Sequence, residues 1–301
     1  MTRCGTIVLA GRPNVGKSTL LNALVGERLA ITSPRPQTTR VRVTGIRTEE
    51  DTQLIFVDPP GLLEPAYLLH EAMLEEAQRA VKDADAILYL HPANEFPWPA
   101  RNATDPQTTA AEIRNLIGAE IPPKPALLVL SKADLVPQNQ RPAPPPGACF
   151  VSATSGEGID QLLEWCRQQI PEGPFLYDPE YTSNQPLRFF AAEFVREAAF
   201  SLLGEELPYA VAVEIEEFRE NSDPVYIRAT VYVERESQKG MVIGKEGRMI
   251  KAIGERARAA IEGFIGSRVY LDLRVKTLPK WRRRPDALRR LGFNLPTQRQ
   301  R

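Results

Sequence analysis

Residues Gly11–Thr19, GRPNVGKST, decide how the rest of the chain is read. Gly11, Gly16, Lys17 and Ser18 satisfy the phosphate-loop spacing G-x-x-x-x-G-K-[ST], and Thr6–Ala10 just before them reads as a short buried strand, the context the motif needs. The glycines let the backbone through Asn14, Val15 and Thr19 curl so that successive N–H groups point at phosphate oxygens. Lys17 neutralises charge there, and the Ser18 hydroxyl is placed for Mg²⁺. Leu20, Leu21 and Leu24 form the apolar stripe of a helix whose N-terminus faces the phosphates.

Outward from this loop, Ser33–Arg40 is polar and punctuated by proline, so it reads as a loop, and it carries Thr38 and Thr39. A strand begins at Val41 and Val43 and runs to Ile46; Leu54–Val57 forms another that ends at Asp58. A carboxylate at the C-terminal end of a buried strand lies where open α/β sheets bind ligands. In Asp58-Pro59-Pro60-Gly61 that carboxylate can hold Mg²⁺ through a water, and Gly61 can bring a backbone N–H to the terminal phosphate. A helix from about Leu68 to Lys82, the strand Ala86–Leu90, a helix near Pro106–Ile117, the strand Ala126–Leu130 and the helix Ile159–Ile170 continue the alternation, which predicts a doubly wound, mostly parallel sheet. After the last of those strands comes Ser131-Lys132-Ala133-Asp134, whose carboxylate can accept two parallel hydrogen bonds from guanine, a pattern adenine does not offer. Ser152-Ala153-Thr154 is a further candidate for the base, where a backbone N–H could reach the guanine carbonyl. The Pro-rich Arg141–Gly147 reads as an extended surface connection.

Breakers and polar residues over 173–187 mark an interdomain linker, dividing a first domain, 1–172, from a second, 188–277, with a basic tail over 278–301. In the second domain Phe190, Phe194, Ala198 and Leu202 fall at helical spacing. Val211, Val213 and Ile215 alternate as a strand, as do Val225–Val233 and Val269–Val275. Between the latter two lies Val242-Ile243-Gly244-Lys245-Glu246-Gly247-Arg248, opening a helix with an apolar face of Ile250, Ile253, Ala257 and Ile261. The glycines of such a turn let phosphates approach backbone N–H groups at a helix N-terminus, while Lys245, Arg248 and Lys251 add charge.

Helix, two strands, a V-I-G-x-x-G turn between helices and a strand resemble the prokaryotic KH domain, whose turn clamps about four nucleotides of single-stranded nucleic acid. Phosphate loop, threonine loop, D-x-x-G, K-x-D and S-A occur in the order of a translation-factor-like GTPase, and QTTR with P-N-V-G-K-S resembles the Era branch, as do RFFAAEFVREAAF, ELPYAVAVEIEEF and VKTLPKWRRR further on. The resemblance implies a GTPase joined to an RNA-binding KH domain, acting in small ribosomal subunit maturation through single-stranded RNA near the 3′ end of its rRNA. It also implies catalytic roles for Lys17, Thr39 and Gly61, Mg²⁺ held by Ser18, Thr39 and Asp58, and K⁺ at Asn14. Which of Thr38 and Thr39 ligates is left open. Two positions depart from pattern: Ser131 stands where the family usually has Asn, weakening an expected brace on the phosphate loop, and Leu62 follows Gly61 where Ras-like enzymes place a water-orienting Gln.

Net charge is zero but segregated: residues 171–234 carry 4 Lys+Arg against 13 Asp+Glu, and 235–301 carry 18 against 6. A basic C-terminal quarter suits a polyanionic partner, and Trp281 among the cations either stacks on a base or packs on the domain. Cys4, Cys149 and Cys166 are widely spaced, without pairs or nearby histidines, so neither disulfides nor zinc are implied and a reducing cytosol is expected. The first strand follows Met1 within a few residues, and no apolar run approaches a membrane span, so a cytoplasmic monomer is expected, with peripheral contact at the inner face of the cell membrane as a further option. Two other readings compete. One is a GTP-dependent switch whose C-terminal module binds a protein or an anionic membrane; the other, an RNA-modifying GTPase, lacks a catalytic Cys or cofactor site in the second domain.

Overall fold

A computed structural model describes residues 1–33, 35–96 and 123–296. The helix read near Pro106–Ile117 lies outside the described residues. The chain forms two compact units: Met1–Ala30, Pro34–Glu64 and Met73–Asn184 make the first, while Ile31–Ser33, Pro65–Ala72 and Gln185–Arg301 make the second.

In the first unit β1 (Arg3–Ala10), β3 (Thr52–Asp58), β4 (Ala86–Pro92), β5 (Ala126–Ser131) and β6 (Ala148–Phe150) are parallel, with β2 (Val43–Glu49) antiparallel on β3, in the spatial order β2-β3-β1-β4-β5-β6. Ile7, Val8 and Leu9 are wholly buried, as a strand covered on both faces demands. Helices α1 (Lys17–Val25), α2 (Leu68–Asp83) and α3 (Ile159–Gln169) complete the alternation expected from the sequence. The C-terminal ends of β1, β3 and β5 deliver the phosphate loop, Asp58 and Ser131 respectively, which is why motifs far apart in the chain belong to one edge of the sheet.

The expected linker is only in small part a tether. Gln53 in β3 is fully buried, and its side-chain oxygen accepts the N–H groups of Leu176 and Tyr177 at 2.9 and 3.0 Å while its amide donates to the Tyr177 carbonyl at 2.9 Å. Further on, Ile46 N–H donates to the Thr182 carbonyl and the Ser183 hydroxyl to the Thr44 carbonyl. Residues 173–184 therefore form a strap satisfied by the first unit, and the boundary moves from 172 to Asn184.

The second unit contains α4 (Leu187–Leu202), the short α5 (Leu207–Ala210), β7 (Ala212–Arg219), β8 (Val225–Val233), α6 (Glu236–Ile243), α7 (Arg248–Ile265) and β9 (Val269–Thr277). β7 and β8 are antiparallel, β8 and β9 parallel, in the order β7-β8-β9. Phe190 and Phe194 of α4 meet Phe264 of α7 at ring-centroid distances of 4.8 and 5.4 Å, with Ile253, Ala257 and Ile261 buried along α7. Ile250 is only half-buried; of the residues expected to alternate, Val211 precedes β7, Val213 is half-buried and Ile215 buried, and a bulge shifts register only beyond Ile215, before Glu217.

The basic tail is also a correction. Trp281 is wholly buried, its indole N–H donating to the Ala210 carbonyl at 2.8 Å, so it packs in the domain and is not free to stack on a base. Phe293 stacks on it, and α8 (Pro285–Arg290) buries Leu288, which extends the folded domain beyond 277. The segregated charges meet as ion pairs within this unit, Arg290–Glu214 at 2.8 Å, Lys276–Glu216 at 2.7 Å and Arg282–Glu234 at 2.6 Å.

Candidate functional site

The loop between β1 and α1 closes on itself through Lys17. Its ammonium donates to the carbonyls of Arg12 at 3.0 Å and Gly11 at 3.4 Å, and the side chain is buried. Burial lowers the Lys17 pKa, while the nearby Asp58 charge raises it; Asp58, wholly buried, is pushed up by desolvation against the pull of Lys17, Ser18 and Thr39. The Ser18 hydroxyl donates to Asp58 Oδ2 at 2.6 Å, and the Thr39 hydroxyl lies 3.0 Å from Ser18 Oγ and 3.1 Å from the same carboxylate oxygen. Of the two threonines left open by the sequence, Thr39 is the one that joins this cluster. Asp58 Oδ1 is buried without a hydrogen-bond partner. Three hard oxygen groups around an unsatisfied carboxylate oxygen fit Mg²⁺, a cation that prefers oxygen and keeps several of its waters.

Gly61 lies against this loop. A Cβ there would fall 2.8 Å from the Pro13 nitrogen, so only glycine permits the close backbone approach, and Leu62 N–H donates to the Gly11 carbonyl at 3.1 Å. Leu62 itself is buried in a cluster with Val8, Val57 and Leu130, so nothing at that position reaches toward water.

A cavity of about 250 Å³ adjoins the loop, lined by Gly16, Thr19, Ser131, Lys132, Asp134 and Ala153 among others. Asp134 accepts from the Ser152 hydroxyl at 2.6 Å, a bond that holds its carboxyl below its ordinary value and keeps it ionised. The expected weakness at Ser131 is not seen: its hydroxyl donates to the Val15 carbonyl at 2.6 Å, bracing the phosphate loop with a shorter side chain. Leu135 and Val151 also border the cavity, and the motifs alone did not name them.

Arg141 was missed as well. At the start of the Pro-rich connection, its guanidinium donates to the Ala133 carbonyl at 2.6 Å and the Val136 carbonyl at 2.7 Å, pairs with Glu157 and lies over the Phe150 ring. It thereby ties the loop bearing Lys132 and Asp134 to the segment after Ser152. An arginine in a proline-rich stretch carries no sequence signal for that task.

In the second unit the turn Gly244–Gly247 joins α6 to α7. Gly244 has φ 74°, and a Cβ on it would fall 2.9 Å from the Met249 backbone nitrogen. Lys245, Glu246, Arg248 and Lys251 are exposed; Arg248 pairs with Glu246 at 3.0 Å and Lys251 reaches Glu255 at 4.0 Å. Such solvated pairs exchange readily for phosphate.

These two sites define a phosphate-loop GTPase carrying a KH module. The family model described as "50S ribosome-binding GTPase" matches residues 6–132, and the KH domain model matches residues 206–282. The chain is 41% identical over 302 residues to GTPase Era of Carboxydothermus hydrogenoformans, covering 97% of this chain and 98% of that protein. It is 40% identical to GTPase Era of Thermotoga maritima, covering 93% of each. Among solved structures it resembles Era in complex with MgGDPNP and nucleotides 1506–1542 of 16S ribosomal RNA, with a TM-score of 0.86 at 35% identity, over 98% of this chain and 100% of that one. It also resembles Aquifex aeolicus Era bound to GDP.AlF4⁻, with a TM-score of 0.86 at 36% identity and the same coverage. The chain belongs to the GTPase Era family, and it is a GTP-hydrolysing enzyme.

Proposed function

We propose that this enzyme is a GTP-driven switch in small ribosomal subunit maturation, binding single-stranded RNA near the 3′ end of the small-subunit rRNA through the Gly244–Gly247 turn. The observation that carries the reading is the full-length likeness to Era in complex with MgGDPNP and 16S ribosomal RNA. That RNA belongs to the small subunit, so it outweighs the "50S" of the broad family description.

In this reading backbone N–H groups from Gly11 to Thr19 and the Lys17 ammonium would hold the phosphates, while Ser18 and Thr39 would hold Mg²⁺ and Asp58 would hold it through a water. When bound, the ion neutralises charge on the β- and γ-phosphate oxygens. Lys17 stabilises negative charge that grows as the γ-phosphate leaves, Thr39 and the Gly61 N–H fix the γ-phosphate, and Asp134 selects guanine with Lys132, Ser152 and Ala153 around the ring. Leu62 orients no water. Asn14, exposed in the loop at φ 66°, is the proposed K⁺ position, so K⁺ supplies charge stabilisation that the chain's own side chains do not. Turnover is expected to be faster in K⁺ than in Na⁺ by roughly tenfold, with the difference lost in Asn14→Ala; equal rates in both salts count against the site.

At the turn, Lys245, Arg248 and Lys251 meet phosphates, and Glu246 leaves Arg248 as RNA arrives. A cytoplasmic monomer suits this role, and among the described residues no helix is long and apolar enough to cross a membrane. Salt-dependent binding of an RNA carrying the 3′-terminal sequence of small-subunit rRNA, compared with anionic vesicles, tests the reading. Preference for vesicles over RNA overturns it in favour of a membrane-directed switch.

A further inference from the structure

A second basic site on the KH module lies away from its glycine turn. A pocket of about 400 Å³ is lined by Glu234, Arg235, Pro279, Lys280, Arg282 and Arg283. Its shape follows from a buried anchor. Leu278 N–H donates to the Val233 carbonyl at 2.8 Å and pins the chain after β9 beside the end of β8, and Trp281 is then wholly buried. With Trp281 turned inward, Lys280, at φ 53°, and Arg283 are turned outward, opposite Arg235 at the end of β8.

Among the described residues, cations without an ion pair also stand exposed elsewhere on the domain, at Lys245, Arg256, Arg258 and Arg289, but here three of them line one concavity. Arg228, Arg248, Arg268, Lys276, Arg284 and Arg290 each have a carboxylate partner. Arg282 is committed to Glu234, cancelling the only carboxylate in the pocket. Arg235, Lys280 and Arg283 are exposed and, among the described residues, have no ion-pair partner. Three unspent cations therefore converge on one concavity, and holding them together without an anion costs mutual repulsion.

We infer that this pocket is a second phosphate subsite for single-stranded RNA, engaging nucleotides beyond those held at Gly244–Gly247. The inference rests on the RNA reading above. Arg235 immediately precedes α6 and Gly244 immediately follows it; eight helical residues span about 12 Å, so a strand that continues past the nucleotides held at the turn reaches the pocket. RNA is favoured over an anionic membrane because none of the exposed large apolar residues lines the pocket, so nothing there inserts between lipids.

The test compares a four-nucleotide and an approximately twelve-nucleotide single-stranded RNA on the full chain. The variant Arg235→Gln, Lys280→Asn, Arg283→Gln removes the charges, and asparagine tolerates the left-handed backbone at 280. The expected result is unchanged affinity for the short RNA, about tenfold weaker binding of the long one, and a salt slope shallower by about 2. The charge-preserving variant Arg235→Lys, Lys280→Arg, Arg283→Lys should bind the long RNA as the unaltered protein does, and weakening there overturns a role for charge. Unchanged long-RNA affinity and slope in the neutralised variant overturn the subsite while leaving the turn's role intact. Failure of the unaltered protein to bind either RNA overturns the RNA reading itself. Vesicle binding stronger than long-RNA binding, and lost on neutralisation, replaces RNA by membrane.

Discussion

The phosphate loop at Gly11–Thr19 and the turn at Gly244–Gly247 are both built on glycine and both proposed to meet phosphate, yet they hold charge in opposite ways. Lys17 is buried, committed to two backbone carbonyls and electrostatically coupled to Asp58, which also binds Ser18 and Thr39. Lys245, Arg248 and Lys251 stand in solvent. In a low-dielectric site each partner is worth much and substitutions are not additive. At an exposed turn affinity is spread over several cations and is screened by salt. Nucleotide recognition should therefore fail abruptly with one atom, and RNA recognition gradually unless the backbone approach itself is blocked.

The sharpest break belongs to the buried side. Asp134→Asn leaves the cavity in place but loses the ionised acceptor, so GTP affinity should fall on the order of 10⁴-fold while xanthosine nucleotides gain. Calorimetric titration with both nucleotides checks this, and undiminished GTP binding removes Asp134 from base recognition. On the exposed side, Gly244→Asp with Gly247→Asp should reduce RNA binding at least about 100-fold by placing carboxylates where phosphates approach, with GTP binding intact. RNA affinity that survives the double change moves the site elsewhere.

A smaller effect is expected where the first site differs from its family's usual pattern. Ser131→Ala deletes the donor to the Val15 carbonyl and should weaken GTP binding by about tenfold, the cost of leaving a buried carbonyl unpaired. Ser131→Cys, similar in size but a weak donor, should fall between. Equal affinity in all three proteins shows that the loop needs no brace.

How legible each region was follows from what recognition requires of it. The places of Gly11, Lys17, Ser18, Asp58 and Asp134 were readable because the patterns proposed for phosphate, metal and guanine each fix a residue type on a strand end or loop. The G-x-x-G turn was readable for the same reason. Gln53, Arg141 and Trp281 were not, because each acts on backbone groups far off in the chain: Gln53 on Leu176 and Tyr177, Arg141 on Ala133, Trp281 on Ala210. Carbonyls and N–H groups carry no side-chain signature, so their partners show themselves only after folding. The linker and tail expectations failed on this point, since breaker-rich and basic compositions describe a segment and say nothing of what it rests on.

Coupling between the two sites should give the smallest effect. A loose tether would have made them independent, but the strap over 173–184 is bonded to the first unit through Gln53, Thr44 and Ile46. Moreover the segments bordering the nucleotide-sensitive loops group with the second unit: Ile31–Ser33 precedes Thr39, and Pro65–Ala72 follows Gly61. If a γ-phosphate fixes Thr39 and Gly61, the chain it restricts runs directly on to those segments. Binding linkage is reciprocal, so a GTP analogue and RNA should each tighten the other by the same factor, about fivefold at the low end of such couplings. The hydrolysis rate is under no such constraint, because Leu62 supplies no water-orienting group for RNA to position. Gln53→Ala should free the strap and reduce the factor without altering GTP affinity in the absence of RNA. Titrating RNA with GDP and with a non-hydrolysable GTP analogue measures it, and identical affinities in the two states would show that nucleotide state never reaches the turn.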